Sequence, residues 1–156
     1  EKESKISDYI LTDEQIEYVW DYFGGSIWEI SNLLGDFLRI CKDGKVPWEK
    51  MESVILRYMI QARSYFEEYA GLKKSLQALF VTVQQKKAKG FFKEIDLGEL
   101  VDGGFFNEEG LREELNVLVQ KNFFYYNPTL AEYKLQGRSM EIGLDMYVRD
   151  IYGIKK

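Results

Sequence analysis

The side chains that could act on a substrate are few. The sequence has no histidine, which removes imidazole-based triads, histidine-built zinc sites and the usual proton shuttle near neutral pH. Carboxylates stand next to each other at Asp13–Glu14 and Glu113–Glu114. Both pairs fall on the outward side of helical patterns, where a solvated face explains them better than acid–base work. The lone thiol, Cys41, lies in an apolar helical repeat and reads as a buried structural group. A single cysteine makes no internal disulfide and fits a reducing, cytoplasmic setting. Nothing matches the phosphate-cradling pattern G-x-x-x-x-G-K-[ST], because neither Gly24-Gly25 nor Gly103-Gly104 is followed by Lys-Ser or Lys-Thr. By itself, then, the chain reads as no enzyme, with no catalytic residue, no metal ligands and no cofactor of its own. What remains is binding chemistry. Gly24, Gly25 and Ser26 form a corner that opens a helix, whose first backbone N–H groups could hold an anion. Lys73, Lys74, Lys86, Lys87 and Lys89 are the basic cluster, which as a lysine run is most simply a solvated face; Lys134 and Arg138 follow in the last third.

The elements that position these residues are legible from spacing. Thr12 and Gln15 fit a capping box, and Ile16, Val19, Trp20 and Phe23 then form one apolar stripe over a helix at 13–23. Gly24 suits a helix end, and Ser26 with Glu29 fits a second capping box. The next helix spans about 27–42 with Ile30, Leu33, Leu34, Phe37, Leu38 and Cys41 inward. Asp43-Gly44 signals a turn, and Pro47 suits the first turn of a helix at 48–70. The apolar set of that helix, from Met51 to Tyr69, is wider than one stripe, which places it centrally. Gly71 is the best boundary, giving a small helical bundle at 1–70 and a second domain at 71–156.

In the second part, Leu76, Leu79, Phe80 and Val83 mark a helix that Gly90 ends, and FFKEI reads as a short strand. A short helix capped by Asp96 follows, then a third helix capped by Asn107 with Leu111, Leu115, Leu118 and Val119 inward. NFFYYNP and AEYKL read as a hairpin, and a last helix capped by Ser139 closes the chain. Helix, strand, helix, helix, hairpin is the order of a winged helix–turn–helix. The expected fold class is therefore mainly α: a helical bundle followed by a winged helix with a short β-hairpin wing.

Two stretches carry a family resemblance. The corner Gly24-Gly25-Ser26 resembles the GG-x-P corner in the helical lid of archaeal-type P-loop ATPases of the AAA+/STAND group, with Ile27 where that family usually has proline. Asn122, Asn127, Pro128, Gln136, Gly137 and Arg138 resemble that family's wing entry and exit. The order of the two matches spans nearly the whole chain. The resemblance implies a lid at 1–70 and a winged helix at 71–156 that follow an N-terminal ATPase domain. The opening Glu-Lys-Glu agrees with reading the chain as a piece of a longer protein. It further implies ATP and magnesium for the parent protein, with Gly24–Ser26 facing the nucleotide, and a regulatory, non-catalytic role relayed to a protein partner.

The rival reading is a free-standing winged-helix DNA-binding transcription regulator, with residues 1–70 as its dimerisation or effector part. An upstream P-loop domain would favour the first reading, and charge weighs against the rival. Residues 1–70 hold 8 Lys+Arg against 14 Asp+Glu, and residues 71–156 hold 13 against 12, which together give the net −5. The third helix carries Glu108, Glu109, Glu113 and Glu114 against Arg112 and Lys121, whereas a helix that reads base edges usually shows Arg, Lys, Asn or Gln near its start. DNA is thus disfavoured, and Lys73, Lys74, Lys86, Lys87, Lys134 and Arg138 stand as contacts for either DNA or a protein. No apolar run nears the roughly 20 residues of a membrane span, so no membrane role is expected.

Overall fold

The computed structural model describes residues 11–23 and 27–153. These are mainly helical, with one two-stranded antiparallel hairpin. Helix α1 spans Asp13–Phe23, α2 Ile27–Ile40 and α3 Trp48–Ala70. The capping box forms as expected: Thr12 N–H donates to Gln15 Oε1 (3.0 Å) and Gln15 N–H to Thr12 Oγ1 (3.2 Å). The inward stripe of α1 is narrower than its spacing predicts. Val19 and Phe23 are sealed, but Trp20 is 63% exposed. The missing inward place belongs to Gln15, which is buried and donates through Nε2 to the Val46 carbonyl at 2.7 Å. In α2, Leu33 and Phe37 are buried while Leu38 faces out.

Between α2 and α3, Asp43 and Gly44 both take positive φ (54° and 73°), and Lys42 pairs with Lys45 across them. Two left-handed residues in succession make the tight turn that Asp-Gly favours. Pro47 stands one residue ahead of α3, at its cap, rather than inside its first turn. Gly71 ends the helix at φ 54°, its N–H donating to the Glu67 carbonyl.

Helix α4 spans Lys74–Lys86 and passes into a 3-10 turn at Lys87–Lys89 that Gly90 closes in the left-handed region. The expected strand at 91–95 shrinks to one rung, in which Phe92 and Tyr133 exchange backbone bonds (2.8 and 2.7 Å). The cause is local. Asp96 Oδ2 accepts the Lys93 N–H at 2.7 Å, which curls Glu94–Leu97 into a 3-10 turn leading to α5 at Gly98–Asp102. Asp96 therefore reaches back from inside the turn and does not cap a helix ahead of it.

Asn107 does cap α6 (Glu108–Gln120), its Oδ1 accepting the Gly110 N–H at 2.6 Å. Strands β1 (Phe124–Asn127) and β2 (Glu132–Leu135) pair in the register Phe124 with Leu135 through Asn127 with Glu132. Their loop is tied by Asn127 Oδ1, which accepts the N–H of Thr129 at 3.0 Å. The last helix, α7, spans Arg138–Gly153. Ser139 is buried inside its first turn, and Gly137, at φ 92°, occupies the position ahead of the helix where Ser139 was expected.

Two apolar clusters make the core, and α3 belongs to both. Its first half, from Met51 to Met59, packs with Val19, Phe23, Leu33 and Phe37. Its second half, Ala62, Phe66 and Ala70, packs with α4, α6, the hairpin and α7. Phe66 is the hub of the second cluster, with its ring centre 4.9 Å from Phe80, 5.1 Å from Phe123 and 6.2 Å from Tyr147. Helix α7 lies along α3. A Cβ built on Gly143 would sit 2.6 Å from Ala62 Cβ, so the two backbones touch where no other residue fits. Beside this crossing Arg63 Nη1 meets Asp150 Oδ2 at 2.8 Å.

Candidate functional site

The corner Gly24, Gly25 and Ser26 lies outside the described residues. The six candidate cations are described, and the fold does not bring them to one place. Lys73 and Lys74 stand exposed at the start of α4, while Lys86 and Lys87 stand at its end, about 18 Å away at the helical rise of ~1.5 Å per residue. Several are paired already. Lys86 meets Glu99 at 3.4 Å, Lys87 meets Asp145 at 3.2 Å and Arg138 meets Glu141 at 3.6 Å. Such pairs at or near the surface hold little energy, yet they offset the charge of two of the run's five lysines and of Arg138.

Helix α6 turns an acidic face to solvent. Glu108, Glu109 and Glu113 are exposed. Arg112 is forked by Glu94, with Nε and Nη2 each 3.1 Å from a carboxylate oxygen. That bond, ahead of the general pull of the Glu94 charge, raises the guanidinium further above its ordinary value. Its fork is therefore already committed. Glu114 corrects the expectation that Glu113–Glu114 both face outward. It is half-buried and accepts the Tyr69 hydroxyl at 2.5 Å, tying α6 to the end of α3. Burial, then this bond, pushes the Tyr69 phenol well up.

Two hollows remain. One, of about 160 Å³, lies among α2, α3 and the start of α7 and is lined by Asp36, Arg39, Tyr58 and Gln61. Its polar groups serve each other: Tyr58 donates to Asp36 at 2.7 Å, and Arg39 pairs with Asp36 at 3.3 Å. The other, of about 260 Å³, opens on the outward face of the hairpin and is lined by Lys89, Phe91, Tyr125, Asn127, Glu132 and Lys134. Lys134 Nζ lies 5.3 Å from the centre of the Tyr125 ring, a cation–π distance. Of the six candidates only Lys134 joins this hollow. Sequence reasoning missed Phe91 and Tyr125, although the signal was present: in a strand where Phe124 faces in, Tyr125 must face out.

Among the described residues no cluster of three metal-ligating side chains occurs, and no helix is long and apolar enough to cross a membrane. No protein-family profile, curated protein or solved structure matches the chain.

Proposed function

We propose that the chain is the regulatory C-terminal region of an archaeal-type P-loop ATPase of the AAA+/STAND group. Residues 1–70 act as the helical lid and residues 71–156 as a winged helix that docks on protein, its own ATPase domain or a partner, instead of reading duplex DNA. ATP and magnesium belong to the parent protein. The order α4, Phe92 rung, α5, α6, hairpin supports the winged-helix reading, because the Phe92–Tyr133 exchange supplies the third, one-residue strand of such a sheet. The observation that carries the docking role is the face of α6. In a DNA reader this helix enters the major groove. Here Glu108, Glu109 and Glu113 would meet phosphates, and Glu94 already occupies Arg112.

The test is fluorescence anisotropy of labelled duplex DNA at low and moderate salt. No saturable binding at tens of micromolar protein is the expected result. Saturable binding with a steep salt slope would sink the docking role and restore the rival, a DNA-binding regulator using Lys73, Lys74 and the wing. The ATPase link has its own test. Gly24→Val in the parent protein should uncouple ATP turnover from partner binding, and unchanged nucleotide affinity, turnover and coupling would count against it.

A further inference from the structure

Three backbone segments lie side by side in the order Phe92, β2, β1. Side chains alternate across such a ribbon. Phe92, Tyr133 and Phe124 are buried on one face, and Phe91, Lys134 and Tyr125 come up on the other. Phe91 is 36% exposed and Tyr125 46%. By register Phe91, Lys134 and Tyr125 stand in one row across strands ~4.8 Å apart, and the Lys134 ammonium reaches over the Tyr125 ring, 5.3 Å from its centre. Lys89, which has no ion pair among the described residues, lines the same hollow, and with Lys134 it outweighs the one carboxylate there, Glu132.

Ring, cation, ring is the complement of base, phosphate, base. We infer that this shelf binds single-stranded nucleic acid through one splayed dinucleotide step. One base lies on Phe91, the next takes the Tyr125 face as Lys134 swings from it to the phosphate between the two bases, and Lys89 meets the next phosphate. Every base offers a π-face, so such stacking is tolerant of sequence. A duplex hides those faces, which makes the shelf selective for single strands even though α6 rejects duplex. An acidic peptide could satisfy Lys134 but would leave two flat ring faces to aliphatic packing, and planar bases match them better. The inference stands independently of the ATPase reading, since it uses only the hairpin and its neighbour.

The experiment is anisotropy of a labelled twelve-nucleotide oligothymidylate with the whole 156-residue chain. Saturable binding at about 50 mM salt is expected, with log K falling against log salt at a slope of about −1.4, the value for two phosphates on a single strand. Tyr125→Ala and Phe91→Ala should each weaken it about tenfold or more. Circular-dichroism melting should show both variants folded at the temperature of the binding assay, with Phe91→Ala, whose ring is the more covered, losing the more stability. Lys73→Ala with Lys74→Ala should leave the affinity unchanged, and amide shifts on titration should centre on Phe91, Tyr125 and Lys134. Failure to saturate by roughly 100 µM overturns the proposal, as does insensitivity to both aromatic variants. So does a poly-glutamate peptide that shifts the same amides while the oligonucleotide does not.

Discussion

Gln15 does two jobs, of which its place in a capping box reveals only the first. Its Oε1 accepts the Thr12 N–H, and its Nε2 donates to the Val46 carbonyl inside the first cluster. Gln15→Ala removes both bonds and leaves a buried carbonyl without its donor, so a loss of about 2 kcal/mol is expected in urea unfolding. Gln15→Glu keeps the acceptor but loses the donor. It should be at least as destabilising near neutral pH, and a neutral Gln15→Glu would show that the Val46 bond contributes nothing.

The tyrosines add a pH dependence. Burial, then the Tyr22 hydrogen bond, pushes Tyr18 up to about 12, and Tyr69 is raised further, by burial first and then by the Glu114 bond. A phenol whose folded value exceeds its unfolded one of about 10 holds its proton longer when folded. Its contribution to stability is complete below pH ~10 and is lost as pH rises from there through the folded value. Tyrosinate absorbance at 295 nm should therefore show part of the 11 tyrosines ionising late, together with loss of helix. Tyr69→Phe should reduce that late fraction. Ionisation of all 11 near pH 10 with the fold intact would contradict the assignment.

Two glycines on helices make a controlled comparison at the scale of elements. At Gly143 an added methyl would meet Ala62 Cβ at 2.6 Å and the backbone around Arg63 at 2.9 Å, so α7 would have to lift from α3. Gly143→Ala should cost about 1–3 kcal/mol as overpacking. Gly35, in α2, has nothing within 4 Å of the same position and no positive φ. Gly35→Ala should stabilise by up to about 1 kcal/mol, through helix propensity and a less disordered unfolded chain. Thermal melts of the two variants should move in opposite directions. A Gly143→Ala protein as stable as the parent would mean that the helices are not in backbone contact.

Across the whole molecule, α3 is one continuous helix shared by two clusters, and α7 bridges them from outside. Ile142 and Met146 of α7 touch the first cluster, while Leu144, Tyr147 and Val148 lie in the second. Damage to one cluster should thus be felt in the other. All three tryptophans, Trp20, Trp28 and Trp48, belong to the first 70 residues, whereas Phe66 packs in the second cluster. Phe66→Ala should cost about 3–5 kcal/mol. It should lower the midpoints of tryptophan fluorescence and of circular dichroism together. Separate midpoints, with fluorescence unmoved, would show two independently folding units.

The local signals were readable from the chain. The Thr12–Gln15 box, the Asp43–Gly44 turn, the limits of α3, the Asn107 cap and the Asn-Pro hairpin loop all follow from hydrogen bonds and dihedral preferences within a few residues. The same holds for the inward leucines of α6, since one face of a helix either alternates correctly or does not. Tertiary packing decided the rest. Trp20 faces water because Gln15 was given the buried place beside Val46, a contact 31 residues away. Glu114 turns inward for Tyr69, and Arg112 is claimed by Glu94, because α6 lies against those segments. The lysine run became separated or paired because a straight helix of 13 residues holds its ends apart and α5 and α7 bring carboxylates to one of them. Which side chains meet across elements depends on how helices and strands stack, and a local pattern carries the face of each element but not its neighbour.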